Sequence, residues 1–364
     1  MSKKSIYQAM VAVILLFIIV FGLIYLFNYK KTQPQSSKTN EPGLEAVPYY
    51  FIAIHNEPLP DLSRTDMPTL DESYLTLKRI IAKADEFNIK LTLMFTAQWS
   101  DYIEGNSERM ADLESWKKSG HEIAAHHHAL NHALWDGYAN KSKEESLAER
   151  KKMGKKENYT GNMDLYVQKI LKLNAEVESG CLSGDTDIEN MPKEIVYTTC
   201  SGRPTNNSMK PPYLSDEYTL QGMNDFMISY ELGGVTRYGV SHAQVTNDTK
   251  LGEAENIFNS MKSGVYGAVA HSIDNNNATG NHNEADAIIK YMEFLHSVDP
   301  SGKNSRTVSD VIEQRLLPEK KISIDSNAQT PANMNNYSGQ SKCGDGVCGP
   351  LEKANPSVCP GDCR

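Results

Sequence analysis

The stretch GHEIAAHHHALNH, residues 120–132, holds His121, His126, His127, His128 and His132, half of the ten histidines in a chain of 364 residues. Imidazole nitrogens and carboxylate oxygens suit zinc, and a catalytic zinc keeps three protein ligands with one position open for water. An exposed histidine-rich tract that binds nothing is the bland alternative, and the strand-like residues before this one argue against it. His128 and His132 are four apart, a spacing that brings them together on a helix or turn. His126 and His132 can instead converge from a strand end and the turn beyond it. Side chains alternate along a strand, so His126, His127 and His128 cannot all face one ion. The expected ligands are His126 and His132, with His128 as the close alternative. Glu57, or His55 in its place, supplies the third from HNEP at 55–58. His121, at the strand start, is read as a structural residue.

These groups need elements to position them. VPYYFIAIHNEP (47–58) is an apolar run of strand character ended by polar residues and a proline. DESYLTLKRIIAKADEFN (71–88) has the apolar spacing of a helix with one buried side. IKLTLMFTAQW reads as a second strand, a short helix ends at LESWKKSG, and HEIAAH opens the third strand. Later strand candidates are EIVYTTC (194–200), DFMISYEL (225–232) and GVYGAVAHSI (264–273); residues 285–298 and 305–317 read as helices. Strand followed by helix implies parallel pairing in an α/β fold, with the chemistry beyond the carboxyl ends of the strands. His55, Glu57, the histidine cluster and His271 all fall at such ends.

Charge and composition exclude several classes. The formal charge is -9, from 46 acidic and 37 basic residues, with no basic block after residue 31, which excludes a nucleic-acid backbone as partner. No glycine-rich phosphate loop follows a strand, which excludes a nucleotide cofactor. Residues 6–27 (IYQAMVAVILLFIIVFGLIYLF) carry no charge, and about 20 such residues cross a bilayer as a helix. Residues 1–31 are therefore expected to anchor the chain in the cell membrane by a single uncleaved pass. Residues 32–45 follow as a linker and 46–321 as an extracytoplasmic domain. Residues 322–342, rich in Asn, Ser, Gln and Pro, form a second linker before a cysteine module at 343–364.

Of six cysteines, Cys343, Cys348, Cys359 and Cys363 crowd that module, and Cys181 and Cys200 stand apart. An even count with a dense cluster reads as disulfides in an oxidising compartment, with Cys181 and Cys200 as a second expected bridge. Four thiolates binding zinc are the alternative. Asp345, Glu352 and Asp362 offer oxygen ligands for Ca2+. Sequons at Asn158, Asn206, Asn247, Asn277 and Asn336 permit glycosylation.

Gly-His-Glu-Ile-Ala-Ala-His at 120–126 resembles the second motif of the polysaccharide deacetylases, the NodB-homology family, and the resemblance extends over much of residues 48–318. It implies a deformed parallel (β/α) barrel holding a divalent metal, commonly Zn2+, and a hydrolase that removes N- or O-acetyl groups from a glycan, here cell-surface carbohydrate. Arg203-Pro204 looks like the family's arginine motif, whose arginine orients a catalytic aspartate. His271 looks like the closing histidine that assists the leaving group, and SRTVSDVI resembles the family's tail. The departures are His55-Asn56-Glu57-Pro58 where the family carries two aspartates, and Leu130 where a second ligand histidine would stand. With Glu57 as ligand, His55 becomes the expected base. The cysteine module is similar to short repeats at the ends of microbial surface proteins.

Two other readings stay open. A retaining glycosidase on a related barrel needs a carboxylate pair, for which Asp225, Glu231 and Asp274 are the candidates. An inactive sugar-binding or structural protein needs exposed aromatics, for which Trp99, Trp116 and Trp135 are available, with Trp99 and Trp135 at expected loop positions.

Overall fold

The structure, a computed structural model, describes residues 47–58, 69–130, 132, 134–183, 192–199, 222–232, 234–275 and 282–321. The chain divides into two units, Met1–Glu45 and Ala46–Arg364, and every described residue lies in the second. In chain order the elements begin with β1 (Tyr49–Asn56), α1 (Leu70–Glu86), β2 (Leu91–Phe95), α2 (Ala97–Glu104), α3 (Ser107–Lys118) and β3 (Glu122–His128). There follow α4 (Lys143–Lys152), α5 (Met163–Leu173), β4 (Ser179–Ser183), β5 (Tyr197–Thr198), β6 (Met223–Asn224), β7 (Met227–Leu232), β8 (Val235–Gly239) and β9 (Ala243–Gln244). The last are α6 (Asp248–Ser260), β10 (Val265–His271), β11 (Asp274–Asn275), β12 (His282–Asn283), α7 (Glu284–Val298), β13 (Ser305–Arg306), α8 (Val308–Glu313) and β14 (Glu319–Lys321).

Among the described residues the main sheet runs β14-β7-β8-β5-β4-β3-β2-β1-β10-β6, with β13 beside β1 and β9 beside β10. Its central strands β10, β1, β2, β3, β4 and β5 are all parallel. β7 and β8 are antiparallel, as are β10 and β6. The expected deformed parallel barrel is thereby corrected to an open α/β half-barrel of mixed direction, whose path ends at β14 and β6. The mixed direction has a local reason: only Gly233 and Gly234 separate β7 from β8 in the sequence, too few residues for the crossover that parallel pairing requires.

Alternation along the strands sorts the core into two layers. Tyr50, Ile52 and Ile54 of β1, Leu91, Leu93 and Phe95 of β2, and Tyr266, Ala268 and Ala270 of β10 pack on the helices, including Leu77, Ile80 and Ile81 of α1 and Ile288 and Met292 of α7. Phe51 and Ala53, Met94, Ala124, and Val265 and Val269 face the other way and are closed at the base by Val308, Val311 and Ile312 of α8. Both faces of the central strands are therefore apolar, which is why β1 reads as a continuous hydrophobic run. α1 starts with a capping box in which Thr69 and Glu72 bond reciprocally to each other's backbone N–H. Thr307 and Asp310 do the same for α8.

Three sequence-based expectations outside this core need correction. Among the described residues no helix is long and apolar enough to cross a membrane, and residues 6–27 lie outside the described residues. The single-pass topology, the membrane as a partner and the membrane localisation lose their support together. Cys181 is the one cysteine among the described residues, and it is disulfide-bonded. Cys200, Cys343, Cys348, Cys359 and Cys363 lie outside them, with Arg203, both linkers and the acidic residues offered for Ca2+. No bridge between two described cysteines, and no disulfide-rich module, is part of the described fold.

Two residues of this scaffold carry predictions. Gly267 sits at the inward register of β10, where an added methyl would enter the Phe51 ring and the Ser241 carbonyl. Overpacking of this kind costs about 1–3 kcal/mol, more than the roughly 0.5–1 kcal/mol that alanine gains over glycine in backbone entropy. Gly267→Ala should lower the urea midpoint.

His121 accepts the Leu91 N–H on Nδ1 at 3.0 Å, and its Nε2 lies 3.1 Å from Asp85 Oδ1. Burial pushes its pKa down more than Asp85 lifts it. The unfolded chain therefore binds the proton more readily, so this residue's stabilisation is full above about pH 6.5 and falls as pH drops from there toward the folded value. Urea midpoints between about pH 8 and pH 5 should decline more steeply in the wild type than in His121→Gln.

Candidate metal centre

The inner face changes character at the carboxyl ends of the strands. Two residues beyond Ala53 stands His55; beyond Ala124 stand His126 and His128; beyond Val269 stands His271. The parallel register aligns His55 with His271 directly, so these side chains reach the same height above the apolar base. Glu57 follows β1 into the middle of the group, and its backbone carbonyl accepts the Trp99 indole N–H at 2.9 Å.

Three imidazoles surround the Glu57 carboxylate. His126 Nε2 lies 3.3 Å from Oε1, His128 Nε2 lies 2.9 Å from Oε2, and His271 Nε2 lies 3.2 Å from Oε1. The ligand atoms of Glu57, His126 and His128 all fall within 4.8 Å of one another, as do those of His55, Glu57 and His271. A third trio, His55, His126 and Cys181, also meets that distance. Its sulfur is held in a disulfide and has no thiolate to give. This buried cluster can hold a divalent metal ion.

Hydrogen bonds on the far side of each ring fix the donor atoms. His126 Nδ1 donates to the Cys181 carbonyl at 2.9 Å, and His128 Nδ1 donates to the Leu134 carbonyl at 3.1 Å. A carbonyl only accepts, so Nδ1 carries the proton and a neutral ring presents its Nε2 lone pair to the site. Two such lone pairs facing one carboxylate repel it unless a proton or a metal cation lies between them. His271 is held differently: its Nδ1 lies 2.6 Å from Glu284 Oε2, which also accepts the His271 backbone N–H.

Electrostatics follow this arrangement. Protons on the rings can take the place of a metal cation: burial pushes the Glu57 carboxyl up, but the charge of His128 and hydrogen bonds from His126, His128 and His271 hold it well below the usual carboxylate range. Burial pushes His126 down against the pull of Glu57. For His271, burial again opposes the proton, yet Glu284 and then Glu57 raise its pKa to about 10.

The structure thus gathers His55, Glu57, His126, His128 and His271. The His132 ring centroid lies 4.0 Å from that of His128, tilted 59° to it, with its Nδ1 occupied by the Leu134 N–H. His127 points to the opposite face, where its Nδ1 meets Asp136 Oδ2 at 2.8 Å, both side chains fully buried. Asp225 and Glu231 are exposed, and the side chain of Asp274 lies outside the described residues. Trp99, Trp116 and Trp135 are all buried, which removes them as stacking platforms; Trp99 belongs to α2, not to a loop. Sequence reasoning missed Glu284, whose place at the start of α7 looks like that of any acidic first-turn residue, and His242, buried 5.4 Å from the His55 ring.

No family model matches the sequence, and no curated protein matches it. Solved structures align with roughly three quarters of this chain. A chain from Mycobacterium smegmatis provisionally named a polysaccharide deacetylase aligns with TM-score 0.39 and 12% identity over 76% of this chain and 95% of its own. A family 4 acetyl xylan esterase from Clostridium thermocellum, in complex with a cobalt ion, aligns with TM-score 0.37 and 15% identity over 74% and 92%. A 4-alpha-glucanotransferase from Thermococcus litoralis aligns with TM-score 0.44 and 15% identity over 76% of this chain but only 42% of its own. Polysaccharide deacetylases are among the solved folds that this chain resembles; the roles of its residues rest on its own geometry.

Proposed function

We propose that the chain is a hydrolase dependent on a divalent metal, with Glu57, His126 and His128 as ligands to zinc, and that it removes an N- or O-acetyl group from a carbohydrate. The observation that carries the reading is the pair of Nε2 atoms aimed at the Glu57 carboxylate, each ring fixed by a carbonyl behind it. Two imidazoles and one glutamate form a donor set used for catalytic zinc, with a coordination position left for water. The carbohydrate part rests on the resemblance of residues 120–126 to the deacetylase motif.

When bound, the ion supplies Lewis-acid polarisation of the acyl carbonyl and makes water a nucleophile near neutral pH. The chain's residues do the rest. His55, buried beside His126 with its ring 4.2 Å away, takes the proton that the attacking water releases. His271, held by Glu284 in a protonated form, gives a proton to the departing amine or alcohol. Water oxygen joins the acyl carbon, the bond from that carbon to nitrogen or oxygen breaks, and acetate leaves.

The test is elemental mass spectrometry on the full chain, purified without chelator or histidine tag, beside a His126→Ala, His128→Ala double variant. The wild type should hold about one more divalent ion per chain than the variant. Acetate release from acetylated oligosaccharides should fall at least about a hundredfold with the loss of that ion. Equal ion content in the two proteins, after reconstitution with zinc, sinks the reading.

A further inference from the structure

His132 belongs to the expected ligand set by spacing, yet its hydrogen bonds give it another character. The Leu134 backbone N–H donates to His132 Nδ1 at 3.1 Å. A backbone N–H only donates, so the Nδ1 lone pair is already engaged and the proton of the neutral ring sits on Nε2. Neither nitrogen then has a lone pair to offer an ion. His126 and His128 carry the opposite assignment, with Nδ1–H bound to carbonyls and Nε2 directed at Glu57. The same Leu134 residue sorts the two neighbouring rings: its carbonyl accepts from His128, and its N–H donates to His132.

Position and rigidity fit a working group. The ring centroid lies 4.0 Å from that of His128, on the loop just past the carboxyl end of β3, and His132 is half-buried while Glu57, His126 and His128 are buried. Its backbone is fixed from behind. The Arg150 guanidinium, 2% exposed, donates from Nη1 to the carbonyls of Leu130 at 3.0 Å and His132 at 2.7 Å, and from Nε to the Lys156 carbonyl at 2.8 Å. It also lies over the buried Trp135 ring at 5.2 Å. A donor held in this way loses little on meeting a charge that develops beside it.

We propose that His132 is a catalytic hydrogen-bond donor and not a metal ligand: its Nε2–H binds the acyl oxygen of the substrate as negative charge grows there. The proposal rests on the reading of Glu57, His126 and His128 as the metal centre.

Two measurements on full-length protein test it. Nitrogen-15 NMR of the imidazoles reads the tautomers without any substrate, and His132 should be protonated on Nε2; an Nδ1–H tautomer overturns the proposal. The wild type is then compared with His132→Ala and His132→Gln, whose amide N–H can stand near the lost donor. Ion content should be equal in all three by elemental mass spectrometry. On N,N′-diacetylchitobiose and acetylated xylooligosaccharides, His132→Ala should lower kcat about a hundredfold with little change in KM, and His132→Gln should recover about tenfold of it. Loss of the ion in His132→Ala, or an unchanged kcat, overturns the proposal. An absence of ion in the wild type overturns the metal centre itself, which no His132 variant can mimic.

Discussion

A carboxylate buried among imidazoles sets the terms for this molecule. Glu57 is 6% exposed, and a charge taken that far from water is costly unless it is paired and hydrogen-bonded. Three rings from two strands meet it, and each ring is tied down on its other nitrogen. The sheet has to be built so that those rings arrive together. Parallel register between β1 and β10 and between β2 and β3 places the carboxyl ends level, and the two-residue alternation turns histidines inward where alanine and valine line the layer beneath. Apolar packing below and polar closure above are two ends of one periodicity.

That periodicity explains what was legible in the sequence. The strand character of 47–58, 120–128 and 264–273, and the placement of His55, Glu57, His126 and His271 at strand ends, follow from local pattern alone. The rule that adjacent histidines on a strand diverge separates His127 from its neighbours, and the structure sends it to Asp136. Setting His128 against Glu57, with His132 beside it, needed the hydrogen bonds of both rings to Leu134, which no spacing encodes. Glu284 was hidden because an acid in the first turn of a helix already has a sufficient local explanation in the helix dipole.

Other parts were missed for different reasons. α4 (KEESLAERKK) buries only Ser146 and Arg150, so it has almost no apolar period to read; its Ser142–Glu145 capping box was the available signal. β5 is two residues long where the sequence allows seven, because pairing partners, not propensity, end a strand. The antiparallel pairing of β7 with β8 turned on a Gly-Gly connection whose length forbids a crossover, a topological constraint that hydrophobic pattern does not carry.

The pairing of β1 with β10 also bears on the order in which the molecule is made. β1 is among the first described elements to leave the ribosome, while β10 comes far later in the chain. Until β10 docks, the edge of β1 that ends at His55 and leads to Glu57 lacks that partner, and closing so long a loop is slow. Glu284, which secures His271, is later still. Nascent chains therefore carry an incomplete ring of groups around Glu57 until Glu284 has emerged, and the assembled cluster marks a chain folded through α7.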